Sequence, residues 1–273
     1  MRTNEEGYTI VEVMIVLAIS AAMFVLVISS LAGRQNRTEF TTSIQNLKTQ
    51  ISQTISEISA GYYPSYNNFT CTDVGGVPTI VSGSRAQGEN SDCIFLGKVI
   101  QFGVSNTNPE QFVTYSVVGL RQSGGAEVTT LTAAAPHVIA PSIDLPNVPD
   151  NTEVRSLGGN MTTLWIHYGN LNTNIGAVGF ISTLASYSGG SLQNGSQQVS
   201  LAPVNGTSIG KTKLDTAKSI NDNLASSPTN GNDQGVKMCI ASGGTDQSGL
   251  ITIGGNGRDL SVNLIVKENK TCS

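Results

Sequence analysis

The sequence predicts an α+β protein: one long N-terminal helix, apolar over its first half and amphipathic over its second, packed on a β-rich globular head. Residues 8–32 form an apolar run of 25 broken by a single charge, Glu12. Beyond it Phe40, Ile44, Leu47, Ile51, Ile55 and Ile58 recur every three or four positions, the period of a helix with one buried face. From residue 62 the pattern changes to short β-branched and aromatic runs separated by Gly, Asn and Ser.

Each element follows from local chemistry. At about 1.5 Å per residue, a helix over 8–32 is roughly 37 Å long, enough to cross a hydrocarbon core of about 30 Å. A plain secretory signal is the competing reading. Against it, the run exceeds the roughly 7–15 residues of a signal core, lacks an A-x-A-like site after it, and follows a short polar stretch. Glu12 is costly inside such a span, about 2.5–3.5 kcal/mol at its centre, which calls for a partner and a function. It lies near one end of the run, where snorkelling relieves part of the cost. Gly61 and Pro64 stop the helix, so one element is expected from about 8 to 60, close to 80 Å long. A bend or local melting is expected at Gly33, beside Arg34.

The head, residues 62–273, is expected to contain strands at 93–104, 112–121, 162–168, 177–184, 198–202, 236–241, 249–253 and 259–267. A short helix is expected over 212–225, with 214, 217, 220 and 224 on its inner face. Residues 141–150, with three prolines, read as a linker or crossing loop and a sub-boundary within the head. Residues 186–196 and 226–235 read as loops, and the last three strands as a meander.

Composition narrows the function classes. A chain of 273 residues holds one sizeable core or two small ones. Only 12% of residues are charged, and a net charge of −4 provides no basic face for nucleic acid. Four cysteines, Cys71, Cys93, Cys239 and Cys272, all fall in the head; an even count outside the cytoplasm favours two disulfides. Three connectivities exist. Spacing favours Cys71–Cys93 and Cys239–Cys272, each loop worth roughly 3–4 kcal/mol in the loop-entropy model. A cysteine metal site lacks C-x-x-C spacing and a suitably placed His, so no metal is expected. His137 and His167 form no triad pattern, and neither H-E-x-x-H nor G-x-S-x-G occurs. Residues 205–212 (NGTSIGKT) miss the phosphate-loop pattern because Asn205 stands where its first Gly belongs. Neither an enzyme nor a cofactor is expected.

The segment GYTIVEVMIVLAIS resembles the signature of type IV prepilins and type II secretion pseudopilins, strictly over about 25 residues and by pattern over about 55. Gly7, Tyr8 and Glu12 fall on that family's residue before the cut, first mature residue and fifth mature residue. Tyr8 departs from the usual Phe, and Glu5 and Glu6 depart from the usual basic leader. The final strands are loosely similar to the H-type minor pseudopilin. The resemblance implies a leader at 1–7, prepilin-peptidase cleavage between Gly7 and Tyr8, a transmembrane half at 8–32, an amphipathic half at 33–60 and an extracytoplasmic head. Its implied partners are other pilin subunits, prepilin peptidase, the inner-membrane assembly machinery and the lipid bilayer. Glu12 would pair with the mature amino terminus during assembly into a pilus or pseudopilus. The alternative is a minor tip subunit or a membrane-anchored adhesin or receptor head.

Overall fold

The computed structural model describes residues 9–60, 69–83, 92–104, 108–139, 152–169, 174–182, 199–204, 207–226, 235–254 and 260–272. Helix α1 (Ile10–Ser59) is a single element of 50 residues. Helical hydrogen bonding continues through Gly33, so the melting expected there does not occur. A mid-helix glycine costs only about 1 kcal/mol relative to alanine, too little to break a helix extended on both sides. The second half of α1 is rich in Ser and Thr, which compete with helix. Here Thr38, Thr41, Thr49, Thr54 and Ser56 each donate a hydroxyl to the carbonyl four residues back, which satisfies the side chains within the helix without opening it.

The head is a β-rich body with two main sheets. In chain order the strands are β1 (Phe69–Val74), β2 (Val77–Ser82), β3 (Cys93–Val104), β4 (Asn108–Leu120), β5 (Gln122–Ser123), β6 (Ala126–Glu127) and β7 (His137–Val138). They continue with β8 (Glu153–Ser156), β9 (Met161–Tyr168), β10 (Ala177–Ser182), β11 (Val199–Pro203), β12 (Val236–Ser242), β13 (Ser248–Gly254) and β14 (Ser261–Lys267). One sheet runs β11-β10-β3-β4-β7, with β8 also on β4; the other runs β14-β13-β12-β9. The expected terminal meander is present, extended by β9. The hairpin β1–β2 and strand β8 were not expected. The first carried a readable signal, a Gly75-Gly76 two-residue turn between apolar runs. Strand β8 is exposed throughout and carried none. The expected crossing loop at 141–150 and the loop at 186–196 lie outside the described residues, as does most of 226–235.

The stripe read from the sequence is the seam of the molecule. Phe40, Ile44 and Ile58 are fully buried, Leu47 and Ile51 nearly so, and Ile55 packs at the edge of the same cluster. They meet Ile100, Phe102 and Phe112 from one sheet and Met161, Ile166, Met238, Ile251 and Ile253 from the other. Contact is close at Gly249 on β13, where an added Cβ would displace the Cδ1 end of the Ile44 side chain. The opposite face of the larger sheet forms a second core with helix α3 (Lys213–Asn223), which follows the four-residue α2 (Leu131–Ala134) in chain order. Thr212 caps α3 by accepting from the Asp215 N–H at 3.1 Å. Of the inner positions expected in α3, Ala217, Ile220 and Leu224 are buried, but Leu214 is exposed. Thr216 takes the inner face in its place.

Cys71 joins Cys93, and Cys239 joins Cys272, with Cα–Cα separations of 6.0 and 5.9 Å. The first bridge fastens the β1–β2 hairpin to the start of β3; the second fastens the chain's last residues to β12. These are the pairs that lie nearest in sequence.

Alternation along β3 directs two polar residues inward. Gln101 accepts a hydrogen bond from the Tyr115 hydroxyl at 2.7 Å and donates to the Lys211 carbonyl at 2.8 Å, closing a polar pair within the second core. Lys98, on the other face and 8% exposed, points at α1, where its ammonium meets Glu57 at 2.7 Å. Burial alone pushes the Glu57 carboxyl up. Hydrogen bonding and charge from Lys98, with help from Gln53 and Arg155, outweigh that and hold it below its ordinary value. A depressed carboxyl contributes stability that is present above its unfolded-state pKa and is lost as pH falls through its folded value. The helix–head junction should therefore loosen at acid pH, below the ordinary carboxylate range. At neutral pH, Glu57→Gln should destabilise the protein by about 1–3 kcal/mol, because Lys98 is left buried without its counter-charge. Adding Lys98→Met should restore most of that loss. Chemical denaturation of the detergent-solubilised chain measures both, and an undiminished loss in the double variant would contradict the assignment.

Candidate functional site

The N-terminal turn of α1 begins at Thr9, whose extended backbone (φ −74°, ψ 149°) sets it as the cap. Its hydroxyl accepts from the Glu12 N–H at 3.3 Å, and its carbonyl accepts from the N–H groups of Glu12 and Val13. Thr9-Ile10-Val11-Glu12 has the T-x-x-E spacing of a capping box, of which the Thr9 half is formed. The Glu12 side chain is exposed and makes no hydrogen bond or ion pair among the described residues. Gly7 and Tyr8, the expected processing site, lie outside the described residues.

From Ile10 to Ile28 every residue of α1 is exposed, and fourteen are large hydrophobics, from Ile10 at 80% to Val13 at 46%. By length and composition the helix is long and apolar enough to cross a membrane. Fully burying such side chains is worth about 1.5–3 kcal/mol each, so this surface forgoes tens of kcal/mol in water. A surface of that kind marks a partner or an apolar phase. Ala18 and Ala22 stand four apart within it, the small-residue spacing that lets helices approach closely.

The other sites weighed in the sequence are occupied structurally. His167 stacks on Trp165, with ring centroids 4.2 Å apart and planes within 16°. His137 sits half-buried in β7, in register with Val118. In the loop before α3, Gly210 donates its N–H to the Gly103 carbonyl, and the Thr207 hydroxyl donates to the Val204 carbonyl at 2.6 Å. The Gly210 N–H, a group a phosphate cradle would turn to its ligand, is thus spent on the fold. All four cysteines are bridged, and among the described residues no group of three His, Cys, Asp or Glu side chains is placed to hold a metal. A groove of about 280 Å³ lies between α1 and β8, with Glu57, Lys98, Glu153 and Arg155 on its walls.

No protein-family model, curated protein or solved structure matches the chain.

Thr9 separates two roles of the first turn. Replacing Thr9 with Ala removes the cap and should cost about 1 kcal/mol of local stability, a roughly five-fold faster amide exchange at Glu12. The Glu12 carboxylate itself remains in place. Exchange measured on the detergent-solubilised chain, with Ile51 as the internal reference, checks this; unchanged exchange at Glu12 would show that the cap does not govern the turn.

Proposed function

We propose that the chain is a fibre subunit of the type IV pilin or pseudopilin kind, anchored in a membrane by the first half of α1. Cleavage follows Gly7, and assembly proceeds through the same helix. The observation that carries this reading is the contrast along α1: fourteen exposed large hydrophobics and one free carboxylate on residues 10–28, then a second half rooted in the head. A soluble domain has no use for the first half, and a disposable signal peptide has no need to continue into a core.

Cleavage after Gly7 creates an α-amino group on Tyr8, about one helical turn before Glu12. In lipid, each charge alone is costly, so pairing between the amine of one subunit and Glu12 of its neighbour neutralises both. Helix packing through the Ala18–Ala22 face adds dispersion contacts. The two disulfides fit a head exposed to an oxidising compartment. A second reading, favoured by the size of the head, keeps the anchor and displays the head as an adhesin or receptor at a fibre tip. Abundance in purified filaments distinguishes a body subunit from a tip subunit.

Two variants test the mechanism in cells that make the fibre. Gly7→Val should accumulate full-length precursor, whereas the wild type yields a chain beginning at Tyr8. Glu12→Val should insert and be cut, but its share of the sheared-filament fraction should fall by about ten-fold relative to the membrane pool, reflecting an unpaired ammonium in lipid. A mature wild-type terminus at Met1 or Arg2 would overturn the processing assignment. Wild-type incorporation of Glu12→Val would overturn the pairing.

A further inference from the structure

Helix α1 leaves its apolar run at residue 32 and meets the head almost at once. Asn36 lies against Gly244, where an added Cβ would stand 3.4 Å from its Nδ2. One residue on, Arg37 pairs with Glu268 at 3.3 Å, and Phe40 is fully buried. Only four residues, about 6 Å of helix, separate the end of the run from this first contact. The polar layer on each side of a bilayer core of about 30 Å is about 5–7 Å thick. A span ending near residue 32 therefore leaves no stalk between lipid and head. Because the helix is unbroken through Gly33, the head cannot hinge clear of the surface at that point.

The part of the head brought to headgroup depth is the turn between β12 and β13, residues 243–247, together with the terminal segment 268–272. Gly243 donates its N–H to the Asn160 carbonyl, which adds the start of β9 to the same end. The side chains suit an ionic, hydrated layer. Lys270 pairs with Asp246 at 3.4 Å, both largely exposed, and Arg37 pairs with Glu268 at the same rim. Arg34, one turn below Thr38, is exposed and makes no side-chain hydrogen bond or ion pair among the described residues. None of the strongly exposed large hydrophobics of the head falls in these segments.

We infer that this base, comprising Arg34, Arg37, residues 243–247 and residues 268–272, is a docking surface for phospholipid headgroups, engaged while the subunit resides in the bilayer. The inference rests on the membrane-spanning reading of α1. Arg34 and Lys270 reach lipid phosphates, while Asp246 and Glu268 keep the surface from binding too strongly for release into a fibre.

Full-length protein reconstituted in phosphatidylcholine–phosphatidylglycerol nanodiscs tests it. One fluorophore is placed in turn at Asp246→Cys, at Ala60→Cys about 36 Å farther along the helix, and at Val25→Cys within the run. Headgroup-nitroxide lipid should quench the label at 246 about five-fold more than that at 60, and acyl-chain nitroxide should quench the label at 25. No quenching at 25 would mean that the spanning reading fails and the docking with it. Quenching at 25 with equally weak quenching at 246 and 60 would overturn the docking alone. The pair Arg34→Glu and Lys270→Glu should lower quenching at 246 by about half while leaving 25 unchanged; no change at 246 would overturn the phosphate contacts.

Discussion

Phe40, Ile44, Leu47, Ile51 and Ile58 lose essentially all contact with water against two sheets that share no strand. The second half of α1 is what both sheets pack on, so the seam unites the core as well as attaching the helix. Five buried side chains at about 1.5–3 kcal/mol each give it a gross contribution near ten kcal/mol, comparable to the whole net stability of a domain. The seam also fixes the axis of the first half, because the helix continues without a break into the exposed apolar run.

Polar chemistry then limits how the pieces slide. A stripe of Ile and Leu can shift by one turn at modest cost. The Lys98–Glu57 contact cannot, since a shift leaves an ammonium buried with no carboxylate. Gly249 leaves room for the end of the Ile44 side chain at the same seam. The disulfides secure other pieces: one the β1–β2 hairpin and the other the C-terminal tail, whose Cys272 lies against the Gly249 carbonyl. Apolar burial supplies the affinity of helix for head, and the ion pair supplies its register.

One helix thus presents two kinds of surface. The same 50-residue element is soluble-protein core at one end and bare hydrocarbon at the other, with its transition over Gly33–Asn36. The proposed fibre role uses that division: the exposed half moves from lipid to neighbouring helices without disturbing the head, since residues 10–28 contribute nothing to the head's core. In that proposed role Glu12 is a charge placed near one end of the apolar run, where it could exchange partners.

The N-terminal half was legible because its physics is local. Twenty-five residues of hydropathy, one carboxylate and a T-x-x-E start need no tertiary contact to specify a capped apolar helix, and a 3-4 spacing marks its inner face. Strands β3, β9, β12 and β13 were legible as β-branched and aromatic runs bounded by turn residues, and the cysteine pairing by proximity in the chain. Other features depend on what lies across a gap. Whether Leu214 or Thr216 turns inward is set by the sheet beneath α3. Lys98, Gln101 and Tyr115 become buried polar partners only when β3 and β4 pair in one register. Strand β8 is held by backbone pairing to β4, with no apolar face to announce it. The closeness of the head to the end of the apolar run was likewise invisible in the sequence. It follows from where Asn36, Arg37 and Phe40 meet residues more than a hundred positions away, and such contacts leave no periodic trace in the chain.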